Sequence, residues 1–162
     1  MRKRPLARRF AALGALIGLA APMSAALADG PARVPLLPKY QQECSACHVA
    51  YPPGLLPAAS WQRLMAGLPQ HFGTDASLDE ATVRDISGWL ATHAGTWRKV
   101  QREAALPPQD RITRSQWFVR EHREVSAATW KLAAVKSAAN CTACHTRADQ
   151  GDFDEHAVRI PR

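Results

Sequence analysis

Two copies of a Cys-x-x-Cys-His motif begin at positions 44 and 141 and together use all four cysteines of the chain. The copies are Cys44-Ser45-Ala46-Cys47-His48 and Cys141-Thr142-Ala143-Cys144-His145. This spacing is the attachment signature of c-type haem. Two sulfurs bond covalently to the haem, and the adjacent histidine becomes the proximal ligand of the iron. We therefore predict two covalent haem c groups, attached at Cys44, Cys47, Cys141 and Cys144 and ligated by His48 and His145.

Two other uses of the four cysteines fit the pattern less well. A disulfide across a two-residue gap closes a strained loop and gives no reason for the histidine after each motif. Two Cys-x-x-Cys pairs also occur in zinc sites, but a zinc site would leave both histidines without a role. The N-terminus indicates export from the cytoplasm, and c-type haem is attached outside the cytoplasm. Haem attachment is the interpretation that uses every residue of the motif.

The distal position of each iron has several candidate ligands. Methionine raises the reduction potential of a haem, whereas histidine leaves it low. Beyond residue 28 there is one methionine, Met65, on the apolar face of a predicted helix, so two methionine-ligated haems are excluded. Four further histidines are enough for two bis-histidine haems. Residue spacing ranks them, with little separation, as His122, His71, His93 and His156.

Helices are expected to position these ligands, because no segment shows the sustained alternation of a strand. A short helix should carry each haem motif. Another should begin near Pro57 and end at Pro69, with apolar residues spaced i, i+3, i+4 and i+7 between them. A third should begin at a capping box formed by Ser77 and Glu80 and stop at Gly95.

The second half should continue in the same way. Residues 98–103 are polar and suit a helix or a linker, and a fourth helix capped by Thr113 should carry His122 on the face of Phe118. The chain is thus expected to be mainly α, as one compact domain or two small haem-binding lobes. We divide it into a Pro-rich arm (29–39), a first haem lobe (40–106) and a second haem lobe (107–162).

Residues 1–28 have the features of a secretory signal peptide. Five basic residues and no acidic residue precede an apolar stretch, and a run of small residues ends in Ala26-Leu27-Ala28. We predict cleavage after Ala28 and a periplasmic protein. The formal net charge of +7 then falls to +2, because the signal removes five of 21 basic residues and none of 14 acidic residues. The basic composition is therefore no indication of nucleic-acid binding.

Three stretches of the chain resemble the small periplasmic dihaem cytochrome c family. They run from Ser60-Trp61 to His71-Phe72-Gly73-Thr74-Asp75-Ala76, from Arg111-Ile112-Thr113 through Trp117-Phe118 to His122, and from Lys136-Ser137-Ala138-Ala139-Asn140-Cys141 to His145. The resemblance extends over residues 40–161. It implies two low-spin bis-histidine haems, with His48 paired to His71 and His145 paired to His122. It gives no role to His93 or His156.

The resemblance also implies electron transfer and not catalysis. Similar proteins are linked to a membrane b-type cytochrome that oxidises quinol and to a soluble oxygen-binding haem protein. This chain is expected to shuttle electrons between such partners through weak, transient docking. Candidate haem propionate partners or docking charges are Lys39, Arg63, Arg114, Arg120 and Arg123.

Two other classes of function remain open. A dihaem peroxidase-like or small-molecule-binding role needs one labile distal ligand, because a saturated iron has no open position, and dihaem peroxidases are considerably larger than this chain. A haem-based sensor or a structural subunit of a membrane complex is the second alternative. A high-spin absorption band would favour the first, and copurification with a membrane partner at high salt would favour the second.

Overall fold

The computed structural model describes residues 34–162, which form short helices joined by turns. This range contains no strand, only isolated bridges from His71 to Thr74 and from His145 to Val158, so the mainly α expectation is confirmed. The α-helices are α1 (Pro38–Cys44), α2 (Ala58–Ala66), α3 (Glu80–His93), α4 (Arg98–Gln101), α5 (Gln116–Glu121) and α6 (Ala127–Trp130). The 3₁₀ turns are Pro53–Leu55, Leu68–Gln70, Pro108–Asp110, Ile112–Arg114, Cys141–Ala143, Ala148–Gln150 and Glu155–Ala157.

Helices α1, α2 and α3 pack around a first apolar cluster. Helix α2 begins directly after Pro57 and buries Trp61 and Met65, which lie four positions apart and so share one face. Helix α3 buries Ile86 and Leu90 in the same register. Full burial of a side chain of this size contributes about 1.5–3 kcal/mol. This cluster therefore fixes how the first three helices lie against one another.

A second apolar cluster joins α4 and α5 to the segment that precedes α2. Trp97 meets Trp117 edge to face, with ring centroids 4.6 Å apart. Both clusters draw residues from each side of position 107, since Ile112 packs against the first cluster and Leu55 belongs to the second. The division into two haem lobes at this position stays a prediction. The buried members of the second cluster are Leu55, Val100, Trp117 and Phe118.

The predicted start of α3 is wrong by two residues. Asp79 is the N-cap, and its carboxylate accepts a hydrogen bond from the amide of Thr82 at 3.0 Å. Ser77 instead donates through its hydroxyl to the carboxylate of Asp75 at 2.5 Å. An N-cap must present its side-chain oxygen to an amide two or three residues on. The carboxylate of Asp79 is the one that reaches such an amide, so Asp79 and not Ser77 is the cap.

The predicted start of α5 is also wrong. Ser115, and not Thr113, is its N-cap: the hydroxyl accepts from the amide of Phe118 at 3.2 Å and donates to the carbonyl of Ile112 at 2.7 Å. Thr113 lies inside the preceding 3₁₀ turn, whose backbone is not extended as a cap requires. Helix α5 ends at Glu121, so His122 follows the helix and does not lie within it.

The predicted helix through each haem motif is wrong, because only Cys44 of the two motifs lies in an α-helix. Helix α1 ends at Cys44, so the first motif continues as a turn, and the second motif begins with the 3₁₀ turn Cys141–Ala143. Helix α3 ends near the predicted stop, followed by Gly95 at a φ of +61°. The predicted signal peptide and residues 29–33 of the arm lie outside the described residues. Within 34–162, no helix has the length and apolar character to cross a membrane.

Replacing Ser115 by alanine should lower the free energy of unfolding by about 1 kcal/mol, the usual effect of losing an N-cap. Denaturant titration of the haem-loaded protein measures the change. Thr113→Ala is the matched control, because it removes a hydroxyl that does not cap the helix. Equal losses in both variants would contradict the assignment of Ser115 as the cap.

The ion pair between Arg63 and Asp110 should make stability depend on pH in acid. Arg63 Nε donates to Asp110 Oδ2 at 2.8 Å, which joins α2 to the turn Pro108–Asp110. This hydrogen bond, with the positive charge, lowers the pKa of Asp110 below its ordinary value of 3.8. The stabilisation is therefore fully present above the ordinary value and is lost as pH falls through the lowered one.

Asp110→Asn removes this pH-dependent contribution and keeps a residue type that tolerates the positive φ of position 110. The difference in unfolding free energy between wild type and Asp110→Asn should be constant above about pH 5 and shrink towards pH 2. Asp149→Asn, at an exposed position, is the control. A difference that stays constant down to pH 2 would show that the pair contributes no pH dependence.

Candidate functional site

The first site brings a proximal and a candidate distal histidine face to face. Cys44 ends α1, and His48 lies in the turn beyond it. His71 follows the 3₁₀ turn Leu68–Gln70, and the backbone turns sharply after it through Phe72 at a φ of 52° and Gly73 at 95°. The rings of His48 and His71 have centroids 6.1 Å apart and planes inclined by 28°.

A cavity of about 320 Å³ is lined by both cysteines and both histidines of this first site. Its walls are largely apolar and are shared with the first apolar cluster, so a bound apolar group becomes part of the core. A haem attached through two sulfurs and ligated by two opposed imidazoles would find all four of these groups in the walls of the cavity. The apolar and aromatic lining residues are Tyr40, Tyr51, Leu56, Trp61, Leu64, Met65, Leu68, Phe72, Ala76, Leu78, Ile112 and Ala139.

The second site also places two histidine rings opposite one another, but different residues hold them. His122 caps the C-terminal end of α5, and His145 closes the second motif. Their ring centroids are again 6.1 Å apart, with planes inclined by 66°. Phe118 stacks on His122 at 4.0 Å, and Phe153 lies 5.4 Å from His145. The two sites are thus alike in ligand spacing and distinct in ring orientation.

Backbone carbonyls fix one imidazole of each pair in the orientation that suits a metal ligand. His48 Nδ1 lies 2.8 Å from the carbonyl of Val49, and His122 Nδ1 lies 2.9 Å from the carbonyl of Phe118. A carbonyl only accepts, so each Nδ1 carries the proton and each Nε2 keeps a free lone pair. Hydrogen bonds of this kind orient a ligating histidine and raise its basicity.

The other imidazole of each pair has a nitrogen that the protein leaves unsatisfied. Nδ1 of His71 and Nδ1 of His145 are buried, with no hydrogen-bond partner among the described residues. Burial, followed by the facing histidine, lowers the pKa of both rings, which favours the neutral form that binds metal. Each site thus offers two facing imidazoles and the two cysteines of one motif, which are the groups that haem c uses. The residues present therefore fit haem at both sites.

The four cysteines are free of disulfides, and Cys44 and Cys141 do not resemble reactive thiolates. Burial raises the pKa of the Cys44 and Cys141 thiols to about 11, whereas reactive cysteines have a lowered pKa. No group of three or more His, Cys, Asp or Glu residues within 34–162 is placed to hold a metal ion. The geometry of this range therefore offers no cysteine-rich zinc site.

The remaining histidines lie apart from the opposed pairs. His93 Nδ1 contacts the carbonyl of Trp89 at 2.8 Å, and His93 does not line the first cavity. His156 is 87% exposed and pairs with Asp154. The structure thus brings together His48 with His71 and His122 with His145. Which histidine binds each iron stays a prediction.

Most of the basic residues suggested by the sequence as propionate partners contact other protein groups. Lys39 pairs with Asp85, Arg63 with Asp110 and Arg120 with Glu103, while Arg114 donates to the side chain of Gln109. For Arg123, the last of the five, the structure adds no contact that bears on a propionate role.

Sequence reasoning missed Arg111, which lines the first cavity. Its Nε is buried without a hydrogen-bond partner in the described residues, and its guanidinium lies 4.0 Å from the ring centre of Phe72. A guanidinium with a buried, unsatisfied N–H fits a carboxylate, so Arg111 is the basic residue of the first site best suited to a haem propionate. Its place as the first residue of the Arg111-Ile112-Thr113 stretch, which resembles the family, was the only signal in the sequence.

Comparison with known proteins agrees with this geometry. A family model described as dihaem cytochrome c matches residues 40–153. A dihaem cytochrome c from Rhodobacter sphaeroides is 45% identical, with a TM-score of 0.67 over 75% of this chain and 100% of that one. A second structure from the same organism is also 45% identical, with a TM-score of 0.63 over 74% of this chain and 99% of that one.

A dihaem cytochrome c from Shewanella baltica is 36% identical, with a TM-score of 0.66 over 79% of this chain and 95% of that one. No curated protein matches the chain. The family match spans both haem motifs and both pairs of opposed histidines, and the helical architecture is shared over most of the described range. The chain therefore belongs to the dihaem cytochrome c family, carries two covalently attached haem c groups and is a haem electron carrier.

Proposed function

We propose that this protein is a periplasmic electron carrier in which both haems are low spin and have two histidine ligands. The observation that carries the proposal is the spacing of 6.1 Å between ring centroids at both sites. The bond from a metal to an imidazole nitrogen is about 2.0–2.1 Å long in zinc sites. With bonds of this length, two rings on opposite sides of one metal have centres roughly 6 Å apart. His48 with His71, and His145 with His122, are the proposed ligand pairs.

Two imidazoles on one iron leave no position for oxygen, peroxide or a substrate. The haem supplies a one-electron change between ferrous and ferric iron, with a potential kept low by histidine ligands. The chain keeps the rings in place through both redox states. Val49 and Phe118 hold His48 and His122 through their carbonyls, and each pair is packed against aromatic rings. Little rearrangement then accompanies the change of charge.

Export to the periplasm is supported by the N-terminal sequence. The basic segment, the apolar stretch and the Ala26-Leu27-Ala28 run have the order of a cleavable signal peptide. Four cysteines without a disulfide suit covalent attachment of haem after secretion. The proposed mature protein begins at Asp29.

The proposed partners are a membrane b-type cytochrome that oxidises quinol and a soluble oxygen-binding haem protein. Electron-transfer encounters bury little surface and are short-lived. Charged side chains increase their rate of association more than their affinity. Lys39, Arg114 and Arg123 are half-buried or exposed and remain candidates for this role. Reduction of the purified protein by a quinol-oxidising membrane fraction, followed by its oxidation by the haem acceptor, tests this part of the proposal.

Substitution of each proposed distal ligand tests the coordination directly. His71→Ala should convert only the first haem to high spin, and His122→Ala only the second, because each loses one of its two strong-field ligands. Absorption spectra and electron paramagnetic resonance of the ferric protein count the high-spin haems. His93→Ala is the matched control, since His93 has the same carbonyl contact as His122 but faces no proximal histidine.

Three results would contradict the proposed ligands. The first is that either distal variant keeps both haems low spin, the second is that His93→Ala produces a high-spin haem, and the third is that the wild type itself contains one. The last result, or peroxide turnover by the wild type, would favour the peroxidase-like alternative over a pure electron carrier.

Arg111→Gln should lower the reduction potential of the first haem. A positive charge near the iron favours the ferrous state, which carries one positive charge fewer than the ferric state. Arg111 provides that charge with a buried, otherwise unsatisfied N–H. Spectroscopic redox titration measures the two potentials separately. Arg84→Gln is the control, because it removes the same charge from an exposed position that does not line the cavity, and an equal shift there would contradict a specific role for Arg111.

A further inference from the structure

Tyr51 contacts the attachment segments of both haems. Its ring stacks on the proximal His48, with centroids 4.9 Å apart and planes inclined by 22°. Its hydroxyl donates to the carbonyl of Ala139 at 3.0 Å, across 88 positions of the chain. Ala139 lies two residues before Cys141, the first attachment cysteine of the second haem. One side chain thus connects the proximal ligand of one haem to the polypeptide that carries the other.

Both ends of this connection are held in place. The buried Tyr40 donates through its hydroxyl to the carbonyl of Tyr51 at 2.8 Å. Beyond Ala139, Asn140 donates to the carbonyl of Val135 at 3.1 Å and accepts from the hydroxyl of Thr142 at 2.9 Å. The phenol of Tyr51 therefore spans two segments whose own backbones are anchored independently.

The two haem sites also meet at this contact. Tyr51 and Ala139 both line the cavity of the first haem site, although Ala139 belongs to the segment that leads into the second motif. Tyr51 packs against both apolar clusters as well. A residue that only filled space between the clusters would not need a hydroxyl directed at a carbonyl next to the second attachment segment.

We propose that Tyr51 sets the rate at which electrons pass between the two haems. The route runs from the imidazole of His48 across the ring stack to the phenol, through the hydrogen bond to Ala139, and along two residues of backbone to Cys141. A hydrogen bond shortens the gap that an electron must cross outside covalent bonds, and it also holds the two haems at one distance. The inference rests on the proposed function, in which both haems are closed and exchange electrons.

The step is a single electron transfer. One ferrous iron is oxidised to ferric, and the other ferric iron is reduced to ferrous. No bond forms or breaks, and no proton leaves Tyr51. The role of Tyr51 is thus to position and couple the two haem segments, and it does not require oxidation of the phenol.

The test compares Tyr51→Phe, Tyr51→Leu and the control Thr92→Val in the haem-loaded protein. A light pulse with a flavin donor injects one electron per molecule, and absorbance follows its redistribution between the haems. Tyr51→Phe keeps the ring on His48 and loses the hydrogen bond to Ala139, so internal transfer should slow. Tyr51→Leu loses both contacts and should slow transfer further. Pulsed electron paramagnetic resonance of the ferric protein should show a broader distribution of inter-haem distances in both variants.

Thr92→Val is the control, because the Thr92 hydroxyl also donates to a backbone carbonyl, that of Gly88 at 3.0 Å, and Thr92 is exposed and does not line the first cavity. It removes one hydrogen bond and leaves the contact of Tyr51 with Ala139 intact, so the transfer rate should stay at the wild-type value. A wild-type rate in Tyr51→Phe, or an equal loss in Thr92→Val, would overturn the inference. The transfer rates are compared only in variants whose haems are both low spin. A changed rate then cannot be caused by the loss of a proposed iron ligand.

Discussion

Holding two imidazole rings opposite one another at each site is the constraint on which the rest of the structure depends. At both sites the ring centroids are 6.1 Å apart, the spacing that the proposed coordination of one iron by both rings requires. The histidines of each pair lie 23 positions apart, at 48 and 71 and at 122 and 145. The chain must therefore turn back on itself at each site. Turns that follow helix ends carry His48, His71 and His122.

The core of this small protein is built around the cofactor. Residues of the first apolar cluster, among them Tyr40, Leu56, Trp61 and Met65, also line the first cavity. Their inner sides pack on one another and on α3, and their outer sides provide the walls of the haem site. Burial of a large apolar ring against these walls contributes to folding in the same way as burial of side chains. Haem attachment and folding are thus coupled through shared residues.

Contacts between distant parts of the sequence hold the two haem segments together. Arg63 pairs with Asp110, Arg111 packs on Phe72, and the Tyr51 hydroxyl reaches Ala139. Each contact joins residues at least 39 positions apart and brings part of the second half to the first haem site. An electron carrier gains from this arrangement, because a rigid frame keeps the inter-haem distance and the ligand geometry unchanged as the charge changes.

The sequence alone was enough to predict the cofactor, because covalent attachment needs a local motif and each motif is complete within five residues. It also predicted the mainly α class and the approximate course of α2 and α3, since their apolar periodicity is local too. Helix starts were less predictable. Ser77 and Thr113 are good cap residues by type, but the side chains of Asp79 and Ser115 are the ones that reach the free amides.

Only the tertiary structure decided which residues face one another. Residue spacing left four histidines in competition, and the fold places His71 opposite His48 and His122 opposite His145. His93 contacts its own helix, and His156 is exposed to solvent. The structure likewise showed that Arg111 has a buried, unsatisfied N–H and that Tyr51 bridges the haem segments. These properties depend on how segments far apart in the chain pack, and such packing leaves no local pattern in the sequence.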